Sequence, residues 1–250
     1  MATNPPATVY LIGDERLVNE FGRACHDSGI AVVCRINESS KAGSLPKFFR
    51  VSSKIPRSAG FCFELTNSNR EWKKKNLLFL ETAAPQRSVI LTSSVVVTAS
   101  EQATWLQHPR RLIGMSALPT LLSQKLIEMA LTIHTPPEAA ARASEFFSRM
   151  GKSTVVVQDR IGMVMPRILC ALVNEASFAL TDEIATPDDI DRAMKLGTNY
   201  PFGPIEWGDK IGFDAVFDVI NAVYDDLHEE RYRAAPLLRQ LATGVRWWRT

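Results

Sequence analysis

The sequence contains no run of about 18 uninterrupted apolar residues, the length a helix needs to cross a bilayer, so no membrane span is expected. Its opening, Met-Ala-Thr-Asn-Pro-Pro, lacks a basic stretch followed by an apolar one, and no secretory leader is expected either. Cysteine is sparse. Cys25, Cys34, Cys62 and Cys170 stand far apart with no C-x-x-C pair. That pattern argues against a disulfide frame and against a zinc site, leaves no metal assigned, and fits buried thiols in a reducing compartment, the cytoplasm. An excess of either charge is also missing: 29 Lys and Arg face 27 Asp and Glu, a formal net charge of +2. Nucleic acid is therefore not an expected partner. There is no repeat of fixed period and no low-complexity tract. What is present is 250 residues, 46% hydrophobic and 22% charged, which is ample for one large core or two modest ones and excludes disorder, collagen and small disulfide scaffolds.

The first half alternates strand and helix. Residues 8–13 form a β-rich run halted by Gly13, residues 15–28 follow at helical spacing through Leu17, Val18, Phe21 and Ala24, and residues 30–34 make a second apolar run. A β-α-β opening of this kind implies a parallel sheet. Residues 37–58 are polar and punctuated and read as loop, with one strand candidate at 48–51. An apolar run at 60–65, a basic helix at 69–81 and a β-branched run at 88–98 continue the alternation. After Pro119 the candidates are mostly helical: 121–129, 138–150, 164–181, 188–196 and 213–227, with one strand at 154–157. Thr186-Pro187-Asp188-Asp189 is a helix start with Thr at the cap, Pro in the first turn and a carboxylate in capping-box position. The fold class expected is α/β plus all-α, a shortened Rossmann-like domain at 1–118 and a helical domain at 119–250.

From Asp159-Arg160-Ile161-Gly162 through Asn174-Glu175-Ala176, Thr186-Pro187-Asp188-Asp189-Ile190-Asp191, Tyr200-Pro201-Phe202-Gly203-Pro204, Gly212-Phe213-Asp214 and Pro236-Leu237-Leu238, the chain resembles the 3-hydroxyacyl-CoA dehydrogenase family. Arg110-Arg111-Leu112-Ile113-Gly114-Met115, Lys125-Leu126-Ile127-Glu128 and Thr92-Ser93-Ser94 extend the likeness upstream. The resemblance implies an NAD domain, a helical domain that dimerises, and an acyl-CoA substrate oxidised at its 3-hydroxyl in fatty-acid metabolism. It implies four chemical groups: a histidine that takes the proton, a glutamate that orients it, and a serine and an asparagine that bind the reacting oxygen. It also implies a Gly-rich tail, which this chain, closing on Trp247-Trp248-Arg249-Thr250, does not carry.

Of the four groups, the resemblance puts the glutamate on Glu128 and the serine on Ser93. Ser93 reads equally well as a strand end, and Glu128 as a partly solvated helix residue. The histidine position holds Ser116, and the asparagine position holds Pro166, which has neither a side-chain amide nor a backbone N–H. The cofactor turn G-x-G-x-x-G keeps only Gly13; Glu15 and Val18 stand at the second and third glycines. Asp14 and Glu15 would repel a pyrophosphate, and no acid follows the second strand to meet a ribose. NAD is thus implied by resemblance alone. Lys73, with Lys74 and Lys75, reads either as a solvated helix face or as charge for CoA phosphates. The expectation is a homologue impaired in hydride transfer that binds acyl-CoA or a partner; the alternative is an active 3-hydroxyacyl-CoA dehydrogenase with compensated site residues.

Overall fold

The computed structural model describes residues 8–37 and 45–244. Two compact units succeed one another along the chain, the first ending at Arg160 and the second beginning at Ile161. The expected boundary near residue 118 is therefore corrected to 160. Residues 119–160 stay with the first unit because they finish its sheet.

That unit is built on β1 (Thr8–Gly13), β2 (Ala31–Ile36), β3 (Arg50–Val51), β4 (Ala59–Leu65), β5 (Val89–Ser93), β6 (Leu112–Met115), β7 (Leu126–Ala130) and β8 (Ser153–Val157), in the spatial order β3-β2-β1-β4-β5-β6-β7-β8. The first six in that order are parallel and have the doubly wound arrangement of a Rossmann sheet. β7 runs antiparallel to β6, and β8 runs parallel to β7. The central strands are buried on both faces, and their side chains alternate between two cores. Val9, Leu11, Phe63, Leu65, Leu91 and Ile113 point to one side, where α1 (Glu15–Asp27) and α4 (Pro137–Arg149) pack. Tyr10, Ile12, Cys62, Ile90 and Leu112 point to the other, beneath α2 (Arg70–Ala83) and α3 (Ala99–Ala103). Phe146 and Phe147 of α4 close the first face against Phe63 and Phe21, with the Phe21 and Phe63 rings 4.6 Å apart. Those contacts tie the segment beyond residue 118 into this core.

Two expectations for this unit change. The helix expected at 121–129 is a turn followed by β7, because pairing with β6 and β8 overrides the helical spacing of Leu121, Leu122 and Met129. The strand expected at 88–98 ends at Ser93. Between β2 and β4 the described residues carry β3 and turns but no helix, in keeping with the shortened domain that was expected.

The second unit centres on α5 (Met165–Thr181), surrounded by α6 (Pro187–Thr198), α7 (Pro204–Ile211), α8 (Phe213–Leu227) and α9 (Pro236–Ala242). The cap of α6 is as expected: the Thr186 hydroxyl accepts from Asp189 N–H. Neither α7 nor α9 was anticipated from sequence; each is short and opens on a proline. The start of α7 is held from another helix. The Asp191 carboxylate accepts from Ile205 N–H at 2.7 Å and Glu206 N–H at 3.0 Å, satisfying donors that a helix start leaves orphaned. A Cβ at Gly203 would overlap that carboxylate, so glycine is required there. Asn174 fastens the approach to α9, donating to Arg233 C=O and accepting from Ala235 N–H. The apolar stripe offered as a dimer face is largely internal: Leu169, Val173, Ala176 and Leu180 are buried within the unit, while Ile168 is exposed. Trp247 and Trp248 lie outside the described residues.

Candidate functional site

The carboxyl ends of parallel strands in an open α/β sheet form a crevice where the strand order reverses, here between β1 and β4. Gly13 ends β1 at a positive φ of 148°, and a Cβ on it would overlap the Leu65 carbonyl carbon. Asp14 N–H then donates to Leu65 C=O at 3.0 Å. The expected glycine turn is therefore real at its first position. The next residue is a carboxylate in full use: Asp14 accepts from Asn67 N–H, Ser68 N–H, the Ser68 hydroxyl and the Asn37 amide. Val18, at the third glycine position, is fully buried in the core of the unit.

Lys73 requires correction. It is neither solvated nor turned toward a ligand, being 1% exposed with its ammonium 2.5 Å from Glu64 Oε2 and 2.9 Å from Ser93 C=O. Burial raises the Glu64 carboxyl above its ordinary value; the Lys73 charge and hydrogen bonds from Lys73, Thr66 and Thr92 oppose that rise. Lys74 and Lys75 are exposed on α2.

Ser93 ends β5 and is fully buried. Its hydroxyl donates to Asn67 Oδ1 at 2.6 Å, with the Ala117 carbonyl 3.2 Å away. The Asn67 amide in turn donates to Ala117 C=O at 2.7 Å. Asn67 is not among the residues expected from sequence; its one signal is the polar run Thr66-Asn67-Ser68-Asn69 directly after an apolar strand.

Ser116 and Glu128 face one another across the antiparallel β6–β7 pair. Ser116 N–H donates to Glu128 C=O at 3.0 Å, and the Ser116 hydroxyl accepts from Glu128 N–H at 3.2 Å. Both are 4% exposed. The spacing of twelve residues is thus a hairpin, with directly opposed positions whose Cβ atoms lie about 5 Å apart in such ladders. Glu128 is a strand residue, not the partly solvated helical one its alternative reading described. Pro166 sits buried in the first turn of α5, where the missing N–H costs nothing. The structure gathers Gly13, Ser93, Ser116 and Glu128 into the first unit and puts Pro166 in the second.

Comparison with known proteins bears directly on this arrangement. The model of the 3-hydroxyacyl-CoA dehydrogenase NAD binding domain matches residues 37–160, and that of the C-terminal domain of the same family matches 162–247. The probable 3-hydroxybutyryl-CoA dehydrogenase of Bacillus subtilis is 30% identical over 182 residues, covering 73% of this chain and 63% of that protein. The 3-hydroxybutyryl-CoA dehydrogenase of Clostridioides difficile is 31% identical over 169 residues, covering 68% and 60%. The chain thus spans less than two thirds of these curated relatives. The crystal structure of (S)-3-hydroxybutyryl-CoA dehydrogenase from Ralstonia eutropha superposes with a TM-score of 0.78 at 24% identity over 96% of this chain and 94% of that one, a likeness of fold. With both domain models matched in order and the doubly wound sheet and helical unit in place, the chain belongs to the 3-hydroxyacyl-CoA dehydrogenase family.

Proposed function

We propose that this chain keeps the family's architecture without ordinary NAD-dependent hydride transfer, and that it serves as an acyl-CoA- or partner-binding homologue. Position 116 carries the reading. A serine hydroxyl has no proton-accepting capacity near neutral pH without a base of its own, so the roughly 10²- to 10⁴-fold contribution of general base catalysis is lost. Its lone pair is already directed at Glu128 N–H. Ser93, the group proposed to bind the reacting oxygen, donates its single proton to Asn67. Pro166 offers no amide in the asparagine's place.

The residues at the crevice do not fit a dinucleotide pyrophosphate in the family's manner. Asp14 sets a fixed anion at the turn and uses the nearby backbone donors itself, Glu15 adds a second acid, and Val18 fills the third glycine position. Lys74 and Lys75 are the exposed cations that α2 keeps for a CoA phosphate. We further propose a homodimer through the helical half, its face formed by the exposed Val164, Met165 and Ile168 rather than by the buried stripe, and a cytoplasmic location, from four free buried cysteines.

Absorbance at 340 nm with acetoacetyl-CoA and NADH tests the reading. No turnover is expected, and Ser116→His alone is expected to leave the chain inactive because Asp14 still occupies the crevice. Heat on titrating CoA, with none on titrating NAD, supports the binding role. Retention of Glu128 and Ser93 favours the second reading, an active 3-hydroxyacyl-CoA dehydrogenase, which turnover within the ordinary enzyme range of roughly 1 to 10³ s⁻¹ would establish.

A further inference from the structure

Four hydrogen-bond donors converge on one point at the carboxyl ends of β1 and β4. Asn67 N–H lies 2.8 Å and Ser68 N–H 3.1 Å from Asp14 Oδ2; the Ser68 hydroxyl lies 2.9 Å and the Asn37 amide 3.1 Å from Oδ1. Consecutive backbone N–H groups aimed at one point make an anion-binding concavity, and a hydroxyl and an amide complete this one. The donors are set in place by the chain itself. Asn76 donates to Asn37 Oδ1 at 3.0 Å and to Thr66 Oγ1 at 3.1 Å, Asn37 also donates to Thr66 at 3.2 Å, and Asn67 is tied on its far side to Ser93 and Ala117. The loop 66–68 is therefore fastened from both sides around a charge that belongs to the protein.

We infer that Asp14 is an internal anion: its carboxylate occupies a preset donor set, and removing it leaves a vacant site for a small oxyanion. The inference rests on the reading of impaired cofactor binding and supplies its physical cause. A carboxylate only accepts, so it matches four donors, whereas a ligand phosphate would meet both a fixed negative charge and donors already engaged. No bond is made or broken; the device is a self-filled crevice.

Formate, a free carboxylate, is the probe, with chloride at equal ionic strength as reference and the whole chain as the sample. Asp14→Ala is expected to lower the thermal midpoint by about 4 °C or more, through loss of several charge-assisted hydrogen bonds. Formate is then expected to raise the midpoint of Asp14→Ala in a saturable manner and to leave the wild type where chloride leaves it. A variant that melts with the wild type, or that responds to formate no more than the wild type does, overturns the inference. Should Asp14→Ala not fold, Asp14→Asn keeps the size but turns an N–H₂ toward donors, and a midpoint equal to the wild type's overturns it equally. Turnover of acetoacetyl-CoA by the wild type sinks the functional reading itself; silence in that assay together with no formate response sinks the internal anion alone.

Discussion

Lys73 shows how far one turn of helix can mislead when charges are read as a block. Its neighbours Lys74 and Lys75 are exposed, yet position 73 shares a stripe with Asn76, Leu77 and Leu80, the residues α2 buries. That spacing of three, four and seven was legible in the sequence and outweighs the run of charge. The ammonium is buried only because Glu64 stands opposite it on β4, a fact no local pattern contains. Breaking a buried pair from one side leaves an uncompensated charge and costs about 3 to 5 kcal/mol, while replacing both partners by apolar groups is often neutral. Lys73→Met is therefore expected to lose about that much stability in urea unfolding, and Lys73→Met with Glu64→Leu to recover most of it. Equal losses in the single and double variants would mean that the pair is not coupled.

Among the elements, the β6–β7 hairpin changes the most from what the residues suggest. Ile127, Glu128 and Met129 fit a helix as well as a strand over so short a span, and only pairing with β6 and β8 decides between them. Once decided, the pairing puts position 116 directly opposite Glu128, so the twelve-residue interval acquires a structural meaning. A similar lesson holds for Asp191, which lies within the family signature and caps a different helix from its own. Burial raises its pKa, against which the hydrogen bonds from Ile205 and Glu206 pull it down. A carboxyl raised on folding holds more protons in the native than in the unfolded state across the window from its ordinary value, about 3.9, up to the raised one. Stability attributable to this group therefore falls as pH rises through that window and is flat above it. Urea midpoints measured between about pH 4 and pH 6 should lose this slope in Asp191→Asn relative to wild type. Gly203→Ala forces a Cβ into the same carboxylate and is expected to destabilise the helical unit by about 1 to 3 kcal/mol, as overpacking does; a change below that, read by unfolding, would show that α7 can shift.

At the scale of the whole molecule, the two units divide the roles. The first carries the sheet, the crevice and three of the cysteines; the second carries Cys170 in its core. Burial pushes the Cys34 thiol up to about 11 and the Cys62 thiol up to about 12, and Cys25 and Cys170 are raised as well. All four are expected to resist an aromatic disulfide reagent at neutral pH in the native chain and to react fully in denaturant, since the thiolate is the reactive form. A thiol that titrates rapidly without denaturant would mark a unit that opens locally. Light scattering at micromolar concentration gives the mass that tests the dimer, and a monomer mass removes that proposal.

By itself the sequence determined the alternation of strand and helix in the first unit, the capped start of α6, the family, and the identity of the groups at positions 14, 116 and 166, because periodicity, cap chemistry and residue type are local properties. It could not decide where the sheet ends, that Leu126–Ala130 is a strand, that Lys73 is buried, or that four donors from two separate segments meet on Asp14. Those outcomes depend on pairing between segments distant along the chain, and hydrogen bonds and charges are satisfied in space, by whichever group the fold brings within reach.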